Sequence, residues 1–222
     1  MDTTQMVELV GNIGVIGASI AAIRGVSAWR REFKGKRDTE LAEDVRCLFY
    51  RAERAIGAVR CRGSYSSEGQ GRVPEPNETP EQENARNQAH VVFKRIQNHG
   101  EIFDQLYALR FRFMARFGRE KVKPFDEMKN VVDEIWVSAG CLAQLWAVRL
   151  HRGDDTSPGT EQQIEKHEAV IWSRGPEDQI RLRVADIIRE IEVACRPIIE
   201  GRASWFSWLW GKAFAERGAP KP

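Results

Sequence analysis

The stretch from Val7 to Arg37, VELVGNIGVIGASIAAIRGVSAWRREFKGKR, constrains this chain more than any other. Leu9 to Ile23 carries no charged residue, and Arg24, Arg30, Arg31, Lys34, Lys36 and Arg37 follow closely. No Lys or Arg precedes Arg24. An apolar run with positive charge on one flank only reads as a membrane anchor whose basic side stays in the cytoplasm. The uncharged run alone makes about 22 Å of helix, short of a hydrocarbon core of roughly 30 Å. Extended from Val7 to Trp29 it is long enough to span. It then takes in Glu8 and Arg24 near its ends, where both reach the interfaces by snorkelling. Trp29 falls at the boundary where interfacial aromatics sit. Asn12 is a cost in lipid unless it meets a polar partner.

Two other readings compete with the anchor. A secretory signal fits badly, because MDTTQMVE holds two acids and no base ahead of the apolar run. A buried helix in a soluble bundle fits better and is the main alternative. Small residues are dense here: Gly11, Gly14, Gly17, Ala18 and Ala22. Gly14, Ala18 and Ala22 keep small-xxx-small spacing, which lets helices approach closely in lipid and implies self-association.

Composition bounds the rest. Apolar residues make up 42% and charged residues 30%, the balance of a globular body with a charged surface. Net charge is only +2, so the basic block is local and no global nucleic-acid signature is present. The four cysteines, Cys47, Cys61, Cys141 and Cys195, contain no C-x-x-C pair and no histidine at ligand spacing, so no metal is expected. Dispersed cysteines in helical segments read as small buried hydrophobes in a reducing compartment.

After the anchor, apolar positions step by four and three in four segments. The first holds Leu41, Val45, Leu48, Ala52, Ala55 and Val59. The second holds Ala85, Ala89, Val92, Ile96, His99, Phe103 and Leu106, with an extension towards Phe117. Met128, Val132, Ile135, Ala139, Leu142 and Trp146 form the third. Ile180, Val184, Ile187, Ile191, Ala194 and Ile198 form the fourth. The fold class is therefore all-α: an N-terminal apolar helix, membrane-spanning or buried, followed by an antiparallel bundle of about four long helices plus a short one. The expected divisions are an anchor over 1–29, a basic juxtamembrane segment and first bundle helix over 30–62, and a mobile loop over 63–80. The remaining helices occupy 81–201 and an aromatic tail 202–222. Thr79 and Pro80 are expected to open the second helix, Thr160 to cap a short helix to Trp172, and Pro197 to end or kink the last.

The tail reads SWFSWLW over Ser204 to Trp210. Trp205, Phe206, Trp208 and Trp210 suit a membrane interface, with capping of the bundle core as the competing role. Catalytic patterns are absent: there is no phosphate-binding G-x-x-x-x-G-K-[ST], no E-x-x-H pair, no H-E-x-x-H and no G-x-S-x-G. No enzyme activity and no cofactor are expected. A second basic group, Arg110, Arg112, Arg116, Arg119, Lys121 and Lys123, interleaves with Phe111, Phe113 and Phe117. It reads as a solvated or headgroup-facing surface in preference to a nucleic-acid site.

The expected function is a non-enzymatic, membrane-anchored interaction module or scaffold at a bacterial-type inner membrane. It is single-pass, with its N-terminus outside and its body in the cytoplasm. Its expected partners are membrane lipid and a second copy or another protein. Arg24, Trp29, Arg30, Arg31, Lys34, Lys36 and Arg37 set headgroup contact and orientation. Two alternatives stand beside it: an effector that oligomerises through the glycine-rich helix and perturbs the bilayer, and a soluble adaptor whose apolar N-terminus docks on a partner.

Overall fold

The computed structural model describes the backbone of residues 3–63, 68–69, 71–152 and 157–200. Side chains are described from Ala22 onward within those ranges, except at Ile23, Arg31, His151 and Arg152. The described residues form six α-helices and one short 3-10 turn, with no strand among them. The helices are α1 (Thr3–Val59), α2 (Pro80–Asn98), α3 (Gly100–Phe117), α4 (Lys123–Arg152), α5 (Pro158–Ile171) and α6 (Gln179–Ile199). The chain divides into two compact units, residues 1–42 with 197–222, and residues 43–196.

In the larger unit the four-three rhythm predicts the core. Val45, Leu48, Ala52, Ala55 and Val59 of α1 are all buried. So are Ala85, Ala89, Val92 and Ile96 of α2, and Met128, Ile135, Ala139, Leu142 and Trp146 of α4. On α6 the buried set is Ile180, Val184, Ile187, Ile188, Ile191 and Cys195. Cys195 takes the place expected of Ala194, since a four-residue step from Ile191 keeps the stripe on the same face.

Side-chain contacts tie the helices together. Phe113 of α3 meets Phe125 of α4, and Arg110 meets Asp126. Further along, Phe93 of α2 meets Trp136 with ring centroids 4.5 Å apart. Between α1 and α6 the partners are Tyr50 with Glu192 and Arg60 with Asp178. Lys123 with Glu190 and Arg183 with Glu134 hold α4 to α6.

The segment expected to run from Ala85 towards Phe117 is two helices. His99 sits at φ −103° and ψ 6°, ending α2 and opening α3. Asn98, His99 and Gly100 are poor helix formers in succession, which makes a break here cheap. Thr79 and Gln82 close a full capping box at the start of α2, with Pro80 behind it. At α5 the cap is Ser157, whose hydroxyl accepts from the Thr160 N–H, so the helix opens earlier than expected at Thr160. Pro197 lies inside the last turn of α6, which ends at Ile199. Gly118 turns the chain from α3 towards α4 at φ 99°, a conformation that favours glycine.

Among the described residues, α4 over Lys123–Leu150 is long and apolar enough to cross a membrane by length and composition, and 33% of that window is buried. Its buried stripe and its ion pairs to other helices through Asp126 and Glu134 give it the role of a core helix of this unit.

The smaller unit contains α1 up to Ala42. Within it, Thr39 Oγ1 donates to the Gly35 carbonyl at 3.1 Å, with the Ile198 carbonyl 3.4 Å away.

Candidate functional site

Two features of the larger unit stand out, one closed and one open. The closed one is built on Arg60, which follows α1. Its guanidinium grips Asp178 bidentately at 2.7 and 2.8 Å. The same group donates to the carbonyls of Val170, Ala169 and Trp172 at 2.7, 2.9 and 3.1 Å, satisfying the open end of α5. Asp178 in turn accepts the Arg181 and Arg174 backbone N–H groups at 2.9 and 2.8 Å, capping α6. Burial pushes the Asp178 carboxyl up, but the bonds from Arg60, Arg181 and Arg174 outweigh it and hold it at about 2. Both side chains are almost fully buried, and the pair is a structural junction of three helix ends.

A second arginine junction lies in the described part of the loop expected over 63–80. Arg72 and Arg86 grip the Glu78 carboxylate at 2.5 and 3.0 Å, and Arg86 also reaches Glu75. The hydrogen bond from Arg72 holds the Glu78 carboxyl below its usual range. Arg95 donates to the Cys61 and Gly63 carbonyls and pairs with Glu68. The described part of this loop is thus pinned to α2.

The open feature is a groove between α3 and α4, with a volume of about 270 Å³. Phe103, Leu106 and Tyr107 form one wall, Phe125, Met128 and Val132 the other. Asp104, Lys129 and Asp133 stand at its rim, Lys129 and Asp133 paired across one turn of α4. The groove follows from the sequence of α3, which carries two apolar faces. Leu106 and Phe113 enter the core, while Phe103, Tyr107 and Phe111 step by four along another face. Tyr107 and Phe111 stay 46% and 48% exposed, packed edge to face on each other. Uncovered paired aromatics beside an apolar groove are the surface composition that marks docking sites.

His167 and Ser138 approach to 3.2 Å, joining α5 to α4. Burial, assisted by the Lys166 charge, pushes the His167 ring below its usual range. Ser138 is buried on a helix, so its hydroxyl is out of reach of a substrate.

The sequence-predicted residues are distributed as follows. The backbone of Gly11, Gly14, Gly17 and Ala18 is helical, and Ala18's side chain lies outside the described residues, as does that of Arg31. Ala22, Arg24, Trp29, Arg30, Lys34, Lys36 and Arg37 are all exposed on α1. The tail residues Trp205, Phe206, Trp208 and Trp210 lie outside the described residues. The cysteine expectation needs correcting: Cys195 alone is buried, Cys47 and Cys61 are exposed and Cys141 is half-buried. Spacing puts Cys47 off the α1 stripe of Val45, Leu48 and Val59, and Cys61 lies beyond the end of α1.

The second basic group is partly consumed within the fold. Arg110 forms a bidentate pair with Asp126 at 2.7 and 3.0 Å, and Lys123 pairs with Glu190 and Glu127. Phe113 is buried and Phe111 is not, so the aromatics do not share one face. A single stripe through Phe103 and Leu106 hides the groove in the sequence; the four-residue steps Phe103–Tyr107–Phe111 are its signal. No protein-family model, curated protein or solved structure matches this chain.

Proposed function

We propose that this protein is a non-enzymatic, membrane-tethered interaction module. Its N-terminal apolar helix holds an antiparallel helical bundle at the cytoplasmic face of a membrane, and the α3–α4 groove recruits a protein partner there. The observation that carries the reading is that groove, with Tyr107 and Phe111 uncovered beside it. A partner helix presenting an apolar stripe at i, i+3, i+4 and i+7 fits such a surface. Asp104 at the rim favours a basic residue on the partner's flank. The tether rests on the uncharged run Leu9–Ile23 and its one-sided basic flank.

Site-specific photocrosslinking in cells tests it. A photoreactive residue at Tyr107 or Phe111 should give a discrete crosslinked partner in the carbonate-resistant membrane fraction. The same residue at Leu182, equally exposed on α6, should give none. Absence of crosslinks from both Tyr107 and Phe111, or release of the protein by carbonate, would contradict the reading.

A further inference from the structure

Val26, Trp29 and Phe33 are 53%, 65% and 52% exposed on α1. At 100° per residue they fall within about 60° of one another, and Ala22 lies between them on the same stripe. Trp29 and Phe33 stack with centroids 5.9 Å apart, and the Arg37 guanidinium lies 5.8 Å over the Phe33 ring. Arg30, Lys34 and Arg37 border the stripe on one side, and Lys36 with Glu32 on the other. None of these four cations makes an ion pair with a described residue.

We infer that the Ala22–Arg37 face of α1 is a lipid-binding surface selective for anionic headgroups, with Trp29 and Phe33 seated at the acyl boundary and Arg30, Lys34, Lys36 and Arg37 on the phosphates. Charge decides the occupant. An antiparallel second copy packed through this stripe would set the all-cationic border of Arg30, Lys34 and Arg37 against itself, and a parallel copy would offer those three cations a single acid, Glu32, beside Lys36, so charge opposes pairing. An anionic surface attracts every one of them, and long basic side chains can hold a phosphate while aromatics sit lower. The inference deepens the tether reading and rests on it for orientation, yet predicts something a spanning anchor does not require: dependence on lipid charge.

The test uses the full chain synthesised in the presence of vesicles of phosphatidylcholine alone, or with roughly one third phosphatidylglycerol. Flotation reports membrane association. Quenching by brominated lipid, taken as the difference between wild type and Trp29→Phe, reports the depth of Trp29. Expected is strong quenching of Trp29 in the anionic vesicles, reduced at least about twofold in 0.5 M salt and in the R30Q/K34Q/K36Q/R37Q variant, consistent with screening of surface charge. All four positions are solvent-exposed, so the fold is kept, which circular dichroism checks. Flotation with both vesicles but an unquenched Trp29 leaves the tether standing and overturns the inference. An unquenched Trp29 with disulfide-linked F33C chains assigns the face to a second copy and also overturns it. Flotation only with anionic vesicles, salt-labile and with Trp29 quenched, upholds the inference and removes the spanning anchor. Flotation with neither overturns both.

Discussion

Arg60 and Asp178 join three helix ends of the larger unit, and each is worth little without the other. Removing one partner of a buried pair strands a charge and costs about 3–5 kcal/mol. Asp178→Ala and Arg60→Ala should each lower the denaturation free energy by that amount, measured by urea unfolding. The sign with pH follows from the depressed carboxyl. Asp178 stabilises the fold above its ordinary value of 3.8, and that contribution is lost as pH falls towards about 2. Stability should therefore fall steeply between about pH 4 and 2, and less so in Asp178→Asn. Thiol chemistry gives a second residue-level test. Burial pushes the Cys195 thiol up to about 11, against the opposing charges of Arg46 and Lys121. Iodoacetamide at neutral pH should modify the exposed Cys47 and Cys61 in the folded protein and leave Cys195 intact until denaturant is added. Neither junction was legible in the sequence. An arginine 118 positions from its aspartate leaves no local pattern, although Asp178 just ahead of Gln179 is an N-cap signature in itself.

Helices were the most legible level, because burying one face of a helix repeats every three or four residues and needs no knowledge of the partner. Leu48, Ala52 and Val59 on α1 and Ile180, Val184 and Ile187 on α6 all fall where the rhythm places them. The His99 break was not legible, since an apolar rhythm can continue across a change of helix direction. The second face of α3 was hidden for the same reason, as Phe103 satisfies both faces' spacing. Ile187→Ala or Ile191→Ala on α6 should cost about 2–5 kcal/mol, whereas Val193→Ala, 66% exposed, should stay within about 0.5 kcal/mol. Removing the α2 capping box with Thr79→Ala should cost about 1 kcal/mol. The latch over 63–80 gives a kinetic readout. Glu78→Gln should increase proteolytic cleavage between Gly63 and Pro80, because Arg72 and Arg86 lose the carboxylate they share. Acidification below the usual glutamate range should do the same to wild type, as the depressed Glu78 carboxyl is protonated.

At the scale of the whole molecule, the described residues are helical without a strand and carry two surfaces: a cation-bordered aromatic stripe on α1 and an apolar groove between α3 and α4. The fold class was readable from rhythm and composition. The proposed location rests only on the charge asymmetry around Leu9–Ile23, and no catalytic constellation in the sequence offered a reaction. The central claim is that the body stands in the cytoplasm, tethered to the membrane. Cys47 and Cys61 make it directly measurable, because both thiols are exposed on the body. A membrane-impermeant maleimide applied to intact spheroplasts and to inverted membrane vesicles should label them in the inverted vesicles alone. Labelling in intact spheroplasts, or recovery of the protein in the soluble fraction after lysis, would contradict a cytoplasmic, membrane-tethered body.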